Sequence, residues 1–308
     1  MGASLALHLL ALLALPCVLV GVINRVKSLW SGRKGPPILQ LAYDVARLVR
    51  KTPVYSATTT PIFRLAPYVV LGTALVSGLV VPLLGTAGPI SFAFDFVWFA
   101  YVWGLGRVAL MLGALDTGSS FEGMGASREA TYAAILEPVF FLVAGALCLV
   151  TGERSLAGAL ALHLDGGAAL VVWLASLVAL VVVVQVESAR MPVDDPATHL
   201  ELTMIHEVMV LDHSGPELAA VQLGAAVKLT AGIGLIAALC NPWAGSARWA
   251  LAGVVNVALC LVVAVVLGSV ESLVARLKLR AVPQYILAAL IAGGLALLAA
   301  TWRLGGQG

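Results

Sequence analysis

The sequence predicts an all-α integral membrane protein, with about eight transmembrane helices and one amphipathic helix on the cytoplasmic side. Three observations carry this expectation. Mean hydropathy is +1.01, with 61% of residues hydrophobic and 11% charged, a balance unlike that of a water-soluble domain. Apolar runs of about 20 residues, long enough to cross roughly 30 Å of hydrocarbon, recur along the chain. These runs lack the alternation of barrel strands, and lipid requires each spanning backbone to bond internally, which leaves helices.

The spans are read at about 4–23, 62–84, 91–113, 132–150, 167–186, 218–240, 249–270 and 284–302, within one membrane domain over 1–308. The first run has no Lys or Arg before it, and Arg25 and Lys27 follow it. That order predicts a retained helix with its N-terminus outside, not a cleaved signal. Gly35–Pro36–Pro37 then sets off a short element at about 38–50. There Ile38, Leu41, Ala42, Val45, Leu48 and Val49 recur at helical spacing opposite Gln40, Asp44, Arg47, Arg50 and Lys51. The pattern fits a helix lying in the membrane interface, either as a plain lipid anchor or as a frame for a cavity or docking surface. Between the third and fourth spans, Asp116–Glu129 is rich in Gly and Ser. It reads as a loop whose glycines permit tight turns and close backbone approach, and their spacing matches no phosphate-binding loop.

Orientation follows from charge. One side of the spans receives Arg25, Lys27, Arg33, Lys34, Arg47, Arg50, Lys51, Arg64, Arg107, Arg128, Arg190, Arg276, Lys278 and Arg280. The other receives only Arg154, Arg248 and Arg303. The asymmetry places both termini outside and the loops at 24–61, 114–131, 187–217 and 271–283 in the cytoplasm, as expected of a multi-pass protein of the inner (plasma) membrane. A net charge of +2 gives no basic stripe for nucleic acid. Cys17, Cys148, Cys240 and Cys260 are widely spaced in apolar runs, so no metal or iron–sulfur site is expected on this chain.

Chemistry concentrates behind the hydrocarbon run Ala168–Val184. The segment 187–217 holds Glu187, Asp194, Asp195, Glu201, Glu207, Asp212 and Glu217 against Arg190 alone. Pro192 and Pro196 interrupt the emerging helix, and Thr198 with Glu201 matches a capping box for a short helix. Asp195 before Pro196 offers a competing start. His199 and His206 are seven apart, near one helix face. His206–Glu207 opens like a zinc-protease motif, but position 210 is valine, so that site is rejected. Acids and histidines at a water–lipid boundary have affinities for protons that burial and neighbours shift toward neutrality. The competing reading is a solvated acidic face for a basic partner. Within the spans, Glu137 and Lys228 stand out as ionisable groups that need partners. Asp95 and Glu271 lie closer to an interface, where snorkelling or structural roles compete with function.

The string Glu187-x-x-Arg190-x-Pro192-x-Asp194, with Glu201, resembles the signature of the respiratory NADH dehydrogenase subunit 1 family. The fuller run Arg190–Glu207, together with Asp116–Phe121 and Gly123–Glu129, is similar to the hydrogenase branch of that family, the membrane anchors of formate hydrogenlyase and energy-converting nickel–iron hydrogenases. The complex I branch usually has Pro-Phe-Asp where Val193 stands here, and further glutamates where Ala197 and His199 stand. The resemblance runs over nearly the whole chain.

It implies a non-catalytic subunit that anchors a peripheral redox arm and couples its electron transfer to proton or sodium-ion movement. The family's acidic path would match Glu129, Glu137, Glu187, Asp194 and Glu201; the reading of the residues themselves adds Asp195, Glu207 and Lys228 to it. The resemblance gives Arg128 and Arg190 as cationic partners, and the residues themselves add His199 and His206 as charge or structural partners. No cofactor is expected on this chain; a nickel–iron centre and iron–sulfur clusters would sit in hydrogenase-like large and small subunits and an iron–sulfur subunit. Antiporter-like membrane subunits are the other implied partners. The alternative is the quinone-cavity subunit of respiratory complex I, and a third class is a free-standing ion transporter.

Overall fold

In the computed structural model, residues 2–194, 203–246 and 248–305 are described, and they form helices and connecting segments without strands. Ten α-helices follow in order: α1 Gly2–Trp30, α2 Gln40–Val49, α3 Pro61–Gly78, α4 Asp95–Asp116, α5 Ser120–Thr151, α6 Leu156–Leu160, α7 Gly167–Glu187, α8 Gly215–Cys240, α9 Trp249–Leu273 and α10 Val282–Gly305. Eight of them, all but α2 and α6, are long and apolar enough to cross a membrane. The chain is an all-α integral membrane protein.

Helix α8 is the hub. Its apolar window is 78% buried within the protein, against 28% for α9 and for α10. It packs on α1, α3, α7 and α9, while α10 closes against α5 and α7, and α3 pairs with α4. The sequence of α8 explains its place. Gly224, Gly232 and Gly234 leave no Cβ, so α3, Val184 and Leu83 approach its axis closely. Larger side chains there would hold those neighbours off.

Because successive spans run in opposite directions, the segments 31–60, 117–119, 188–194, 203–214 and 274–281 gather at one end of the bundle. We call that end the rim. The opposite end is tied by Asn256, whose amide donates to the carbonyls of Pro82 and Leu83 at 3.1 and 2.9 Å. Asp95, fully buried, accepts the Leu156 amide there at 2.6 Å and acts as a structural tie between α4 and the α6 turn.

Helix α2 lies at the rim against α8 and α1 and is amphipathic, as the 38–50 pattern requires. One expectation needs correcting. The Gly- and Ser-rich stretch is not a loop: α5 begins at Ser120, and only 117–119 link it to α4. Gly125 is helical because its missing side chain admits another segment. A Cβ there would sit 2.4 Å from Val208 and 2.9 Å from the Ile205 carbonyl oxygen. Of the two uses expected of these glycines, Gly125 serves close approach and not a tight turn.

The acidic segment divides. Asp195, Thr198, His199 and Glu201 lie outside the described residues. From 203 to 206 the chain is irregular, and Glu207–Val210 forms one 3₁₀ turn.

Candidate functional site

Four helices place charged groups around one buried point. Arg107 comes from α4, Glu129 and Glu137 from α5, Glu187 from the last turn of α7, and Lys228 from α8. Arg107 is 6% exposed and Glu187 is 7% exposed. The Arg107 guanidinium donates to Glu187 Oε1 at 2.7 Å and to Glu137 Oε1 at 3.1 Å, with Glu129 Oε1 3.8 Å from its Nε. The other Glu187 oxygen faces Lys228 Nζ at 2.5 Å, and that ammonium lies 5.4 Å from the Trp103 ring centroid. Isolated, each charge would be prohibitive in so apolar a place. Held together, three carboxylates share two cations.

That count matters. With every acid ionised the cluster is one negative charge in excess. Burial opposes an uncompensated charge strongly, so the cluster as a whole is best balanced by one further positive charge. Beside it is a cavity lined by Thr73, Trp103, Arg107, Glu129, Glu187, His206 and Lys228, among others. Its volume of about 40 Å³ has room for one to a few waters.

A second cluster secures the rim over this cavity. Asp194, 1% exposed, accepts the amides of Ile205 and His206 at 2.9 and 3.0 Å and pairs with Arg276 at 3.0 Å. Arg276 also donates to the Thr203 carbonyl at 2.6 Å. Arg128 donates to the Met204 carbonyl at 2.7 Å. These bonds seat His206 at the cavity mouth. Burial pushes the His206 imidazole below its ordinary value, and the Lys228 ammonium pushes the same way. Glu207 is half-buried on the same segment.

The expected residues thus divide. Glu129, Glu137, Glu187, Lys228 and His206 come together, and Asp194 joins them through the His206 backbone. Arg190 does not pair with that set; it reaches Glu271 at 3.4 Å, where Lys27 also binds at 2.9 Å. Glu271 is therefore a buried rim tie between α1, α9 and the segment after α7. Sequence reasoning missed Arg107 as the centre, grouping it with the interfacial cations that set orientation. Its signal was present: it falls inside the apolar run 91–113 with no charged neighbour nearby in sequence. Arg276 was missed as a site residue for a different reason, since only folding brings it to Asp194.

A model of the NADH dehydrogenase family matches residues 3–302. The chain belongs to the NADH dehydrogenase family. Among the relatives it resembles, hydrogenase-4 component C of Escherichia coli K12 is 29% identical over 78% of this chain and 76% of the relative. Formate hydrogenlyase subunit 4 of the same organism is 25% identical over 89% of this chain and 91% of the relative. An NADH-quinone oxidoreductase subunit of Methylococcus capsulatus is 25% identical over 60% of each. A chain in the structure of the membrane-bound sulfane sulfur reductase, an archaeal respiratory membrane complex, shares the fold, with a TM-score of 0.76, 19% identity and coverage of 97% and 98%.

Proposed function

We propose that this chain is the membrane subunit of a hydrogenase-type redox complex, and that it couples electron transfer in a soluble arm to proton or sodium-ion movement. The observation that carries the reading is the buried Arg107–Glu187–Lys228 network with its surplus carboxylate. A group of this composition takes up or releases one cation when a neighbouring charge or the rim geometry changes. The longer alignments with relatives named for hydrogenase-4 and formate hydrogenlyase favour a hydrogenase-like large and small subunit pair and an iron–sulfur subunit as partners. The nickel–iron and iron–sulfur centres would belong to those partners.

The excess of Lys and Arg at the rim favours a cytoplasmic rim with both termini outside, in the inner (plasma) membrane. Glu137 supports a membrane partner as well. Its side chain is 48% exposed on the flank of α5, where lipid would penalise an ionised carboxylate. An antiporter-like subunit covering that flank removes the penalty and extends the acidic path from cavity to neighbour.

The test is Glu187→Gln in the assembled complex, with redox turnover and ion movement into vesicles measured together. The reading expects turnover to fall or to run without ion movement. Wild-type coupling in this variant would refute it. A quinone-cavity role in a complex I-type enzyme is the second reading, favoured by the relative named for NADH-quinone oxidoreductase. Co-purification of NADH-oxidising flavin subunits, with electron transfer to added quinone, would select it.

A further inference from the structure

A cavity of about 380 Å³ opens at the end of the bundle opposite the rim, away from the charged network. That volume is in the range of ligand sites, about 300–1,000 Å³. The end of α5, the α6 turn, the segments 161–165 and 244–245, and the last turns of α10 wall it. Thr151, Glu153, His163, Asp165 and Arg303 supply its polar groups. Two glycines shape it. Gly245, at φ +72°, carries its segment up to the α6 turn, where a Cβ would stand 3.6 Å from Ala161 Cβ. The Glu153 side chain lies over Gly158, where a Cβ would be 3.0 Å from Glu153 Oε2.

The charges on these walls are not spent on one another. Among the described residues, none of Glu153, Asp165 and Arg303 forms an ion pair. They come from different elements: Glu153 follows α5, Asp165 precedes α7, and Arg303 is near the end of α10. His163 Nδ1 donates to the Ala161 carbonyl at 3.1 Å, which leaves Nε2 as the acceptor of the ring. Each group is partly open to solvent, so any one contact contributes little, about 0–1 kcal/mol. Selectivity has to come from several of them meeting one molecule. Two acids and one cation held apart suit a molecule that carries both signs.

The depth of the cavity narrows the molecule further. Arg303 follows Trp302, which is 81% exposed, and the exposed residues Ile291, Leu295 and Leu298 continue that stripe into the span. From 291 to 302 the helix rises about 16 Å, close to one leaflet of a roughly 30 Å hydrocarbon core. On α7, Leu170, Leu174 and Val178 make a second exposed stripe that begins just past Asp165. An exposed tryptophan above an apolar stripe marks the level of lipid headgroups. The charged walls therefore stand at headgroup depth, above two surfaces that each fit an acyl chain.

We propose that this cavity is a binding site for the headgroup of a phospholipid that carries a primary amine, the phosphoethanolamine class. Arg303 takes the phosphate. Glu153 and Asp165 take the ammonium, with His163 Nε2 as a further acceptor, and the acyl chains lie on the α10 and α7 stripes. Two other headgroups fit less well. A quaternary ammonium has no N–H to donate and is held by aromatic faces, and no Phe, Tyr or Trp lines this cavity among the described residues. A purely anionic headgroup would meet two carboxyl groups for one guanidinium. The site stands apart from the coupling reading, because none of its residues belongs to the Arg107–Glu187–Lys228 network.

The test places the purified native complex in vesicles of phosphatidylethanolamine, phosphatidylcholine and phosphatidylglycerol with identical acyl chains. Separate samples carry a photo-reactive analogue of one of the three, and crosslinked peptides are read by mass spectrometry. Labelling at 150–165 and 298–303 should favour the ethanolamine lipid over the choline lipid by about tenfold, the ratio that about 1.4 kcal/mol gives. Glu153→Gln with Asp165→Asn should bring that ratio close to one, and Arg303→Gln should lower labelling by both lipids. The exposed α9 residues Val262, Val265 and Val266 give the reference: equal labelling there in every variant shows that the variants fold. Equal labelling of the wild-type site by the ethanolamine and choline lipids overturns the proposal. So does stronger labelling by the glycerol lipid, or a ratio unmoved in the double variant. Soluble glycerophosphoethanolamine at equal concentration should not displace the lipid; if it does, the occupant is a free headgroup and the lipid assignment fails.

Discussion

Arg107 holds three carboxylates from two other helices, and its loss should be felt in all of them. Arg107→Gln keeps length and some hydrogen bonding but leaves Glu187 with Lys228 alone and Glu137 without its cation. Breaking a buried pair in this way costs about 3–5 kcal/mol. The expected outcome is a complex that still assembles but denatures at lower temperature, with a protonated carboxyl gained in infrared spectra; unchanged melting would count against the network as the centre. His213 makes a different residue-scale statement. Burial pushes its imidazole pKa down to about 4 in the folded protein, below the ordinary 6.5, so its stabilising contribution is present above 6.5 and is lost as pH falls toward 4. Hydrogen-exchange protection of 203–214 should therefore drop through that window in wild type, and drop less in His213→Gln. Arg107 was visible in the sequence as a lone cation in an apolar run, yet its partners on α5 and α7 were not, because ion pairing between helices leaves no local pattern.

At the scale of elements, the 203–214 segment is positioned from outside itself. Asp194 and Arg276 hold its start, Arg128 holds Met204, and Gly125 opens the groove in α5 that Val208 and Met209 enter. Gly125→Val should displace the segment at an overpacking cost of about 1–3 kcal/mol. Limited proteolysis at 203–214 should quicken in that variant while the spans stay intact; unchanged cleavage would show that the groove does not seat the segment. Sequence reasoning placed Gly123 and Gly125 in a loop and allowed them tight turns or close approach, without naming what would approach. Here the determining contact comes from a segment some eighty residues later in the chain, beyond any local rule. The amphipathic α2 was legible for the opposite reason: its apolar face repeats within ten residues.

For the whole molecule, the charged groups form a line from the rim to the flank: Asp194 beneath the rim loops, His206 at the cavity mouth, Glu187 with Arg107 and Lys228 inside, then Glu137 on the outer face of α5. A line with one end at the rim and the other on a lateral face is what the proposed coupling role would use. Glu137→Gln should then leave redox turnover nearer to wild type than ion movement, measured in the same vesicles. Equal loss of both would place Glu137 in the redox-coupled step instead of the exit.

The order of residues alone dictated the membrane class, the presence of eight long apolar helices and a short amphipathic one, because hydrocarbon thickness and backbone bonding constrain each span locally. It also marked Glu187, Asp194, Glu137 and Lys228 as costly charges in need of partners. Who those partners are was settled by folding. Arg107 became the centre, Arg276 took Asp194, Arg190 went to Glu271, and His213 met Glu217 with no cation beside them among the described residues. The reason is physical. A span must satisfy its backbone within itself, so its existence is written in a short window of sequence. A buried charge is satisfied across the bundle, and which helices meet depends on how their small and large residues pack around α8.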